Sequence, residues 1–424
     1  MGVKYQQLVR DGTFLSRYME MMNGQETPYA YDFWSACWLL SLAVGRHTIV
    51  ARPRAPVFLN IYALLLGESG VTRKSSSIRI ATSIARSFIG ETNDGMALVE
   101  SKATPDALEK MLDVQSKRTG HAHAAIAVSE LVTFLGRGAS SGMPGLLTDL
   151  YDSPSIRSSP GTLLRGPTHL SNVYISFLSA STPSWLIRAV NPDVVEGGFT
   201  SRCLFVVSDK RKRKVAWPSD DDTNVAEELK TRMLGIRALA EKRPKIALTA
   251  SALRKFSRWY NERTQNRDPF RSSFEAREDT HVLRLAGLLS INDEAWQIND
   301  YHIGAAIKII SEIKAAGADL FISIVTPTGL ARAIEKLRTI LYEAGNDGIS
   351  QNRLREKMRT VLSAERLRIA LDIMHELDMV QRFSGVKTGD KAGRTATIWR
   401  ATSHLMVTGV INRVLEEMAP NEED

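Results

Sequence analysis

The sequence predicts an α/β protein with a parallel-sheet core, preceded by helices and followed by a helical lid and a winged-helix domain. An apolar run at 61–66 ends in a glycine-bearing turn and continues as an amphipathic helix. Further apolar runs at 124–128 and 173–178 end in small polar or acidic residues, as buried parallel strands do. The predicted regions are N-terminal helices at 1–55, a sheet core at 56–218, a helical lid region at 219–326 and a winged-helix-like domain at 327–424.

The composition is that of a soluble globular protein with room for two or three domains. Of the 424 residues, 43% are hydrophobic and 24% are charged. Two cysteines far apart, Cys37 and Cys203, argue against a disulfide framework or a cysteine-based zinc site and suit a reducing cytoplasm. The apolar run around 34–44 is too short and interrupted to span a bilayer. We therefore expect a cytoplasmic protein without a membrane partner.

The excess of basic residues favours an anionic partner. The formal net charge is +8, and basic surfaces attract nucleic acid. The charge is placed unevenly: 210–214 reads Lys-Arg-Lys-Arg-Lys, and a second arginine-rich stretch runs from 353 to 368. These two stretches are the expected positions of anion contacts.

The first elements are predicted to be helices over 10–50, because aromatic and apolar residues such as Phe14, Tyr18, Trp34 and Trp38 are spaced for packing. The strand at 61–66 then leads into a loop that ends in Lys74-Ser75. Strand, glycine-bearing turn and helix form the layout of a phosphate-binding loop, whose backbone N–H groups surround an anion at a helix N-terminus.

In this interpretation Lys74 neutralises the β and γ phosphates of ATP, and the Ser75 hydroxyl binds Mg²⁺. The other expected nucleotide-binding residues are Gly67, Ser69, Gly70, Val71, Thr72, Arg73 and Ser76. The loop departs from the pattern G-x-x-x-x-G-K-[ST], since Glu68 and Arg73 occupy the glycine positions. The alternative is an ordinary strand, turn and amphipathic helix in which Lys74 is merely solvated.

A second chemical element follows the strand at 124–128, which ends in Ser129-Glu130. P-loop ATPases place there the carboxylate that orients the attacking water or contacts the metal's shell. Glu130 is therefore the candidate base. Because Ser129 replaces the usual aspartate, Mg²⁺ is expected to depend on Ser75, Ser129 and Glu130 with waters. The alternative is a glutamate that ends a strand and caps a helix.

Two further candidates follow in the chain. The strand from 173 ends in Ser181-Thr182-Pro183, where ring ATPases place a polar sensor for the γ-phosphate, although the same residues also suit a capped helix start. Arg202 stands between a glycine-bearing turn and another apolar run. It could act as an arginine finger on a neighbouring subunit's nucleotide or form a surface salt bridge.

Residues 10 to 320 resemble the P-loop ATPase domain of phage, plasmid and genomic-island replication proteins, which is catalogued as a domain of unknown function and often accompanies primases. The matching segments are 65–75, 128–130, 146–152, 178–183 and 198–205. The resemblance implies a RecA/AAA-like or helicase-like ATPase serving mobile-element replication. It also implies that Lys74 and Ser75 bind nucleotide, Glu130 supports hydrolysis and Arg202 acts between subunits of a homo-oligomeric ring, most plausibly a hexamer.

The remainder of the chain is predicted to be a helical lid and a DNA-binding module. Arg277 or Arg284 could sense nucleotide from the lid, whereas His281 is expected to be a surface or core residue, not a metal ligand. Helix, helix, strand, basic loop and strand after 345 is the order of a winged helix, which binds DNA or protein. The expected DNA contacts are Arg366, Arg368, Lys387, Lys391 and Arg394.

The function predicted from these features is an ATP-hydrolysing motor that acts on single-stranded DNA, and on duplex DNA at an origin, with a primase or initiator as a further partner. One alternative is a helicase loader or partner-activated ATPase without unwinding activity. Another is a non-catalytic winged-helix initiator or regulator, which the altered loop and the missing aspartate would suit.

Overall fold

The computed structural model describes residues 4–92, 95–135, 142–160, 166–183, 185–186, 198–217, 223–263, 269–325, 331–359, 362–376, 379–387 and 395–402. These residues belong to two compact units. The core unit lies within 2–264 and 273–320, and the C-terminal unit lies within 265–272 and 321–424.

Helices and strands alternate along most of the core unit. The helices with described bounds are α1 (Phe14–Met21), α2 (Tyr29–Val44), α3 (Lys74–Glu91), α4 (Pro105–Thr119), α5 (Leu131–Leu135), α6 (Met143–Tyr151), α7 (Phe199–Arg202), α8 (Thr223–Lys242), α9 (Ala250–Glu262), α10 (Pro269–Asn292), α11 (Asp300–Val325), α12 (Ala331–Glu343), α13 (Gln351–Met358) and α14 (Ala364–Glu376). The strands are β1 (Ile49–Val50), β2 (Val57–Phe58), β3 (Tyr62–Leu66), β4 (Ala97–Val99), β5 (Ala122–Val128), β6 (Ile156–Ser159), β7 (Thr168–Ser171), β8 (Val173–Ser181), β9 (Leu204–Val207), β10 (Lys245–Ile246), β11 (Ile349–Ser350), β12 (Val380–Lys387) and β13 (Thr395–Ala401). Short 3-10 turns lie at Tyr5–Leu8, Met22–Gly24, Gly45–His47 and Gly345–Asp347.

The centre of the core unit is a five-stranded parallel sheet in the order β4-β5-β8-β3-β9. Every residue of β3, β5 and β8 is buried, which explains their nearly continuous apolar sequences. Leu66 at the end of β3 pairs with Ser181 at the end of β8, and Val128 at the end of β5 pairs with Ser179. The predicted α/β class with a parallel sheet is confirmed, and the carboxyl ends of β3, β5 and β8 meet at one edge.

Helices α2 and α3 pack against each other and against this sheet. On α3 the residues predicted to form the apolar face are all buried, and they are Ile78, Ala81, Ile84, Ala85 and Phe88. Helix α2 is buried on all sides along nearly its whole length, as expected for a helix without a polar face. Cys37 on α2 and Cys203 beside β9 are buried and unbonded to each other, which confirms that they behave as small apolar residues.

Several elements of the core unit were not predicted from the sequence. The antiparallel hairpin β6–β7 lies between α6 and β8, and the three short strands β10, β1 and β2 form a separate sheet. Helix α11 is 26 residues long. The polar loop expected at 219–223 lies almost entirely outside the described residues.

The basic run at 210–214 is largely neutralised by the N-terminal helices, contrary to the expectation of an open anion-binding cluster. The ammonium group of Lys212 lies 2.6 Å from Oδ2 of Asp32 on α2, and both side chains are almost fully buried. Arg211 pairs with Glu26 at 2.7 Å. Because burying a cation requires a partner, Lys212 serves to attach its segment to α2, and Arg213 and Lys214 are the exposed members of the run.

The C-terminal unit combines helices α12, α13 and α14 with a three-stranded antiparallel sheet in the order β11-β13-β12. Its own apolar core includes Leu341, Leu354, Leu371 and Trp399. Among the predicted DNA contacts, the side chains of Arg366 and Arg368 are exposed on α14. Lys387 is the last residue of β12, and Lys391 and Arg394 lie outside the described residues.

Across the described ranges, no helix has both the length and the apolar character required to cross a lipid bilayer. This finding agrees with the prediction of a protein without a membrane partner.

Candidate functional site

A cavity of about 650 Å³ opens at the edge of the sheet where β3, β5 and β8 end. Its volume lies in the range of ordinary small-molecule sites, and its position outside the carboxyl ends of parallel strands is where α/β proteins bind ligands. The lining residues are Glu68, Ser69, Gly70, Arg73, Lys74, Ser75, Ser76, Ser129, Glu130, Leu131, Val132, Thr133, Ala180, Ser181, Thr182 and Trp185. Most of the predicted nucleotide and metal residues are thus brought together.

The loop from Gly67 to Arg73 joins β3 to α3 and requires glycine at its start. A Cβ on Gly67 would lie 2.5 Å from Thr72 Oγ1, 2.6 Å from the Ser208 carbonyl oxygen and 2.7 Å from the Tyr31 hydroxyl. Thr72 is buried in this arrangement and Val71 is exposed, and neither lines the cavity. Gly67, Val71 and Thr72 therefore shape the loop, whereas Ser69 and Gly70 face the cavity.

Two loop residues adopt the left-handed backbone conformation. Gly70 has φ +75°, and the space around it is open. Arg73 has φ +52°, which is unfavourable for a residue with a Cβ, and it is the N-cap of α3. The Arg73 carbonyl accepts hydrogen bonds from the N–H groups of Ser76 (3.0 Å) and Ser77 (3.3 Å). The arginine at the usual glycine position thus begins the helix directly before Lys74.

Lys74 is the first residue of α3, and its ammonium group turns back onto the loop. Nζ donates to the carbonyl oxygens of Gly67 (2.5 Å) and Glu68 (3.0 Å). Partial burial lowers the pKa of Lys74, and the nearby Glu68 carboxylate opposes this shift. The lysine is therefore not merely solvated, because it closes the loop around its own cation. Ser75 follows as an exposed residue of the first helical turn.

Glu130 lies between β5 and α5 with an exposed side chain in the cavity. Its backbone carbonyl accepts from Phe134 N (3.3 Å), and its Oε2 accepts from the Thr133 hydroxyl (2.9 Å). The alternative of a glutamate that precedes a helix is therefore realised, but one carboxylate oxygen has no printed bond and the side chain still lines the cavity. Ser129 is also exposed there.

The two sensor candidates occupy the end of β8. Ser181 is nearly buried, and its hydroxyl donates to the Thr182 carbonyl at 3.3 Å. Thr182 Oγ1 accepts from the Trp185 N–H at 3.3 Å, so it caps a helical turn as the alternative interpretation proposed. Both residues line the cavity opposite the phosphate-binding loop, together with the half-exposed ring of Trp185.

Arg202 does not lie in this cavity. It precedes β9, at the amino edge of the sheet, and its guanidinium donates to Asp152 Oδ2 (3.3 Å) and to the Gly198 carbonyl (2.8 Å). Arg277 binds the same Asp152 carboxylate through two contacts of 2.9 and 3.2 Å. The neighbouring arginines help to hold the pKa of Asp152 low, against the opposing effect of its burial.

Arg284 lies at this same amino edge and is buried. Its guanidinium stacks over the Tyr151 ring at 3.9 Å and donates to the Asn60 carbonyl at 3.0 Å. His281 is buried beside it, with Nε2 donating to the Ser201 carbonyl at 2.9 Å. His281 is therefore a core residue, as expected, and neither Arg277 nor Arg284 lines the cavity in this chain.

The cavity also contains groups that the sequence analysis did not single out. Leu131, Val132 and Trp185 supply apolar surface, and Thr133 supplies a hydroxyl. Outside the cavity, Glu26 bonds to Arg73 across 47 residues of sequence (2.7 Å). A pairing over this separation leaves no local pattern, whereas Thr133 could have been noticed as the third residue after Glu130.

The residues fit a magnesium nucleotide in their chemistry. Lys74 and the amides of the first turn of α3 suit phosphate, and the Ser75 hydroxyl is a hard oxygen donor. Among the described residues, no three His, Cys, Asp or Glu side chains form a metal-binding group. A Mg²⁺ ion at this edge would consequently take few ligands from the protein, as it does when phosphates and waters supply the others.

Comparison of the chain with protein-family models and with curated proteins finds no match. The functional conclusion therefore depends on the geometry of the site.

Proposed function

We propose that the protein is an ATP-hydrolysing, DNA-acting motor with a RecA/AAA-like P-loop core, of the helicase-like kind that replicates phages and plasmids. The observation that carries this proposal is the convergence of Lys74, Ser75, Glu130 and Ser181 on one cavity at the carboxyl edge of a parallel sheet. These residues come from three different strand ends. Their convergence supports a single reaction site more strongly than the altered loop sequence does.

In the proposed reaction, Lys74 exchanges its bonds to the Gly67 and Glu68 carbonyls for the β and γ phosphates of ATP. Ser75 binds Mg²⁺, which neutralises charge on the transferred phosphoryl group. The free backbone N–H groups at the start of α3 stabilise the same negative charge. Together these groups hold the phosphates in a fixed position, which is the main requirement for phosphoryl transfer.

Glu130 orients the attacking water and accepts its proton. Its carboxylate is exposed to the cavity and is held on one side by the Thr133 hydroxyl, which leaves acceptor capacity for a water. Ser129 contributes a further hydroxyl near the metal position. Ser181 or Thr182, at the end of the neighbouring strand, contacts the γ-phosphate and reports its presence.

Arg202 has a proposed role only between subunits. It lies at the amino end of β9, whereas the cavity lies at the carboxyl end of the sheet. A homo-oligomeric ring, most plausibly a hexamer, would bring the arginine of one subunit to the nucleotide of the next. In that arrangement Arg202 would exchange its contact with Asp152 for the phosphates and stabilise the charge of the transition state.

The C-terminal unit supports the DNA-acting part of the proposal. Its order of helix, strand, two helices and two strands suits a winged helix, in which α14 enters a groove and the segment between β12 and β13 is the wing. Arg366 and Arg368 are exposed on α14, where they could contact bases or phosphates. Single-stranded DNA at the motor, duplex DNA at an origin, and a primase or initiator protein are the proposed partners.

The test is ATP turnover with and without single-stranded DNA, in the native chain and in Lys74→Ala and Glu130→Gln. We expect DNA to stimulate turnover, and both substitutions to reduce it at least a hundredfold, since general-base catalysis alone contributes about 10²–10⁴. Lys308→Ala and Glu241→Gln, which change exposed residues of α11 and α8, are the matched controls.

The outcomes separate the proposal from its two rivals. Turnover that requires an added protein but not DNA would favour a helicase loader. Nucleotide binding without turnover under any condition would refute catalysis and favour a DNA-binding initiator or regulator. Turnover that survives in Lys74→Ala would show that the cavity at the sheet edge is not the site of hydrolysis.

A further inference from the structure

The carboxylate of Glu26 gathers three donors from two separate parts of the core unit. Oε2 accepts from Arg73 Nε at 2.7 Å, and Oε1 accepts from Arg211 Nη1 at 2.7 Å and from the Val215 backbone N–H at 3.1 Å. The side chain of Glu26 is only 12% exposed. Hydrogen bonds from the two arginines and from the Val215 N–H lower its pKa to about 2, so the group stays ionised at neutral pH. A carboxylate with this number of charged partners is more than an ordinary surface ion pair.

The first of these partners, Arg73, carries the unusual feature of the phosphate-binding loop. It stands where the standard loop has glycine, and its φ of +52° disfavours a residue with a Cβ. A strained backbone conformation persists only where surrounding contacts fix it. Lys74 follows directly, so the orientation of Arg73 also sets the direction in which α3 and its cation begin.

The other two partners connect the loop to the segment at 208–215. Ser208 N donates to the Leu66 carbonyl at 2.9 Å, which places the start of this segment beside the end of β3. Arg211 and Val215 then return to Glu26. The phosphate-binding loop and this segment consequently share one anchoring carboxylate at one end and a backbone contact at the other.

We propose that Glu26 is a positioning residue of the nucleotide site, which holds Arg73 in its left-handed conformation and thereby keeps the loop in its phosphate-binding shape. This inference depends on the proposed function, because it assumes that the cavity binds ATP. Glu26 replaces by side-chain anchoring what a glycine supplies by conformational freedom. The chain can therefore carry an arginine before Lys74 without losing the loop.

The test measures the dissociation constant for a non-hydrolysable ATP analogue by calorimetry. Glu26→Gln is expected to raise Kd about tenfold, the effect of losing one charge-assisted hydrogen bond, while kcat at saturating ATP stays within about twofold. Glu20→Gln removes a carboxylate that binds Arg17 on α1 and serves as the matched control with unchanged Kd. Thermal unfolding of each variant monitors folding, and Glu26→Asp replaces Glu26→Gln if the latter does not fold.

The decisive comparison repeats Glu26→Gln in an Arg73→Gly background. Because glycine adopts positive φ freely, Arg73→Gly alone is expected to keep Kd within about threefold, and adding Glu26→Gln should then change Kd less than about twofold. A positioning role predicts this loss of sensitivity, whereas a purely structural role of Glu26 predicts the same tenfold effect in both backgrounds.

An equal effect of Glu26→Gln with Arg73 or Gly at position 73 would overturn the inference. An unchanged Kd in Glu26→Gln, with normal binding by the native chain, would also overturn it and leave the proposed function intact. Absence of nucleotide binding by the native chain itself would refute the proposed function, and the inference with it.

Discussion

Replacement of Gly67 by alanine is the sharpest structural test of the phosphate-binding loop. The new methyl group would meet three atoms at 2.5 to 2.7 Å, and one of them is the backbone carbonyl oxygen of Ser208. A hydroxyl such as that of Thr72 can rotate away, but the carbonyl belongs to a segment that is hydrogen-bonded to the end of β3. The loop or that segment must therefore shift.

Overpacking of this kind costs about 1–3 kcal/mol, and contact with backbone places Gly67→Ala near the upper end, at about 3 kcal/mol. Gly70→Ala is the matched control. Its φ is also positive, at +75°, but no atom lies within 4 Å of the new Cβ. It should cost only the strain of the left-handed conformation, about 1 kcal/mol.

The assay is thermal unfolding by calorimetry, followed by nucleotide binding at a temperature where both variants are folded. For a unit of this size, about 2 °C of Tm corresponds to 1 kcal/mol, so we expect losses of about 6 °C for Gly67→Ala and about 2 °C for Gly70→Ala. Gly67→Ala should also weaken nucleotide binding, because it displaces the carbonyl that Lys74 contacts. Equal losses of Tm, or a larger loss in Gly70→Ala, would refute the close approach of Gly67 to its neighbours.

Two further predictions concern other parts of the chain. Burial lowers the pKa of His281 to about 3, below its ordinary value of 6.5, so unfolding takes up a proton between these values and stability falls as pH drops below 6.5. The slope contributed by this residue approaches about 1.4 kcal/mol per pH unit; Tm measured from pH 7 to 5 should lose that contribution in His281→Asn but not in the exposed control His169→Asn, and equal slopes would contradict the assignment. In the C-terminal unit, Arg366→Ala and Arg368→Ala should each weaken duplex DNA binding and lower the slope of log K against log salt by about 1, whereas the exposed Arg79→Ala on α3 should not; unchanged slopes would exclude α14 from the interface.

The parallel sheet and the helix after the loop could be predicted because their signals are local. Buried parallel strands have continuous apolar sequences, and α3 shows a clear helical period with its apolar face buried as expected. The sequence also placed the strand ends that carry Glu130 and Ser181. Since parallel strands align their carboxyl ends, these local predictions were sufficient to bring the candidate residues to one edge.

What the sequence could not supply are the contacts between distant segments. The basic run at 210–214 suggested a patch for anions, but Lys212 is buried against Asp32, 180 residues earlier in the chain. The hairpin β6–β7 was missed because its strands are short and largely exposed, without apolar alternation that marks a buried face. Charge runs and short exposed strands acquire their meaning from the surfaces they meet.

The position of Arg202 follows from the same topology and limits what the arginine can do. It stands immediately before Cys203 and β9, whose four residues span about 13 Å, and the loop with Lys74 begins beside the opposite end of that strand. An arginine side chain that is bonded to Asp152 at one edge of the sheet does not reach phosphates at the other edge of the same subunit. Any contribution of Arg202 to hydrolysis therefore requires a second copy of the chain, so the arginine-finger proposal and the ring proposal stand or fall together. If the chain hydrolyses ATP as a monomer, the contact with Asp152 is the complete role of Arg202, and the charge of the transition state must be stabilised by Lys74 and the first turn of α3 alone.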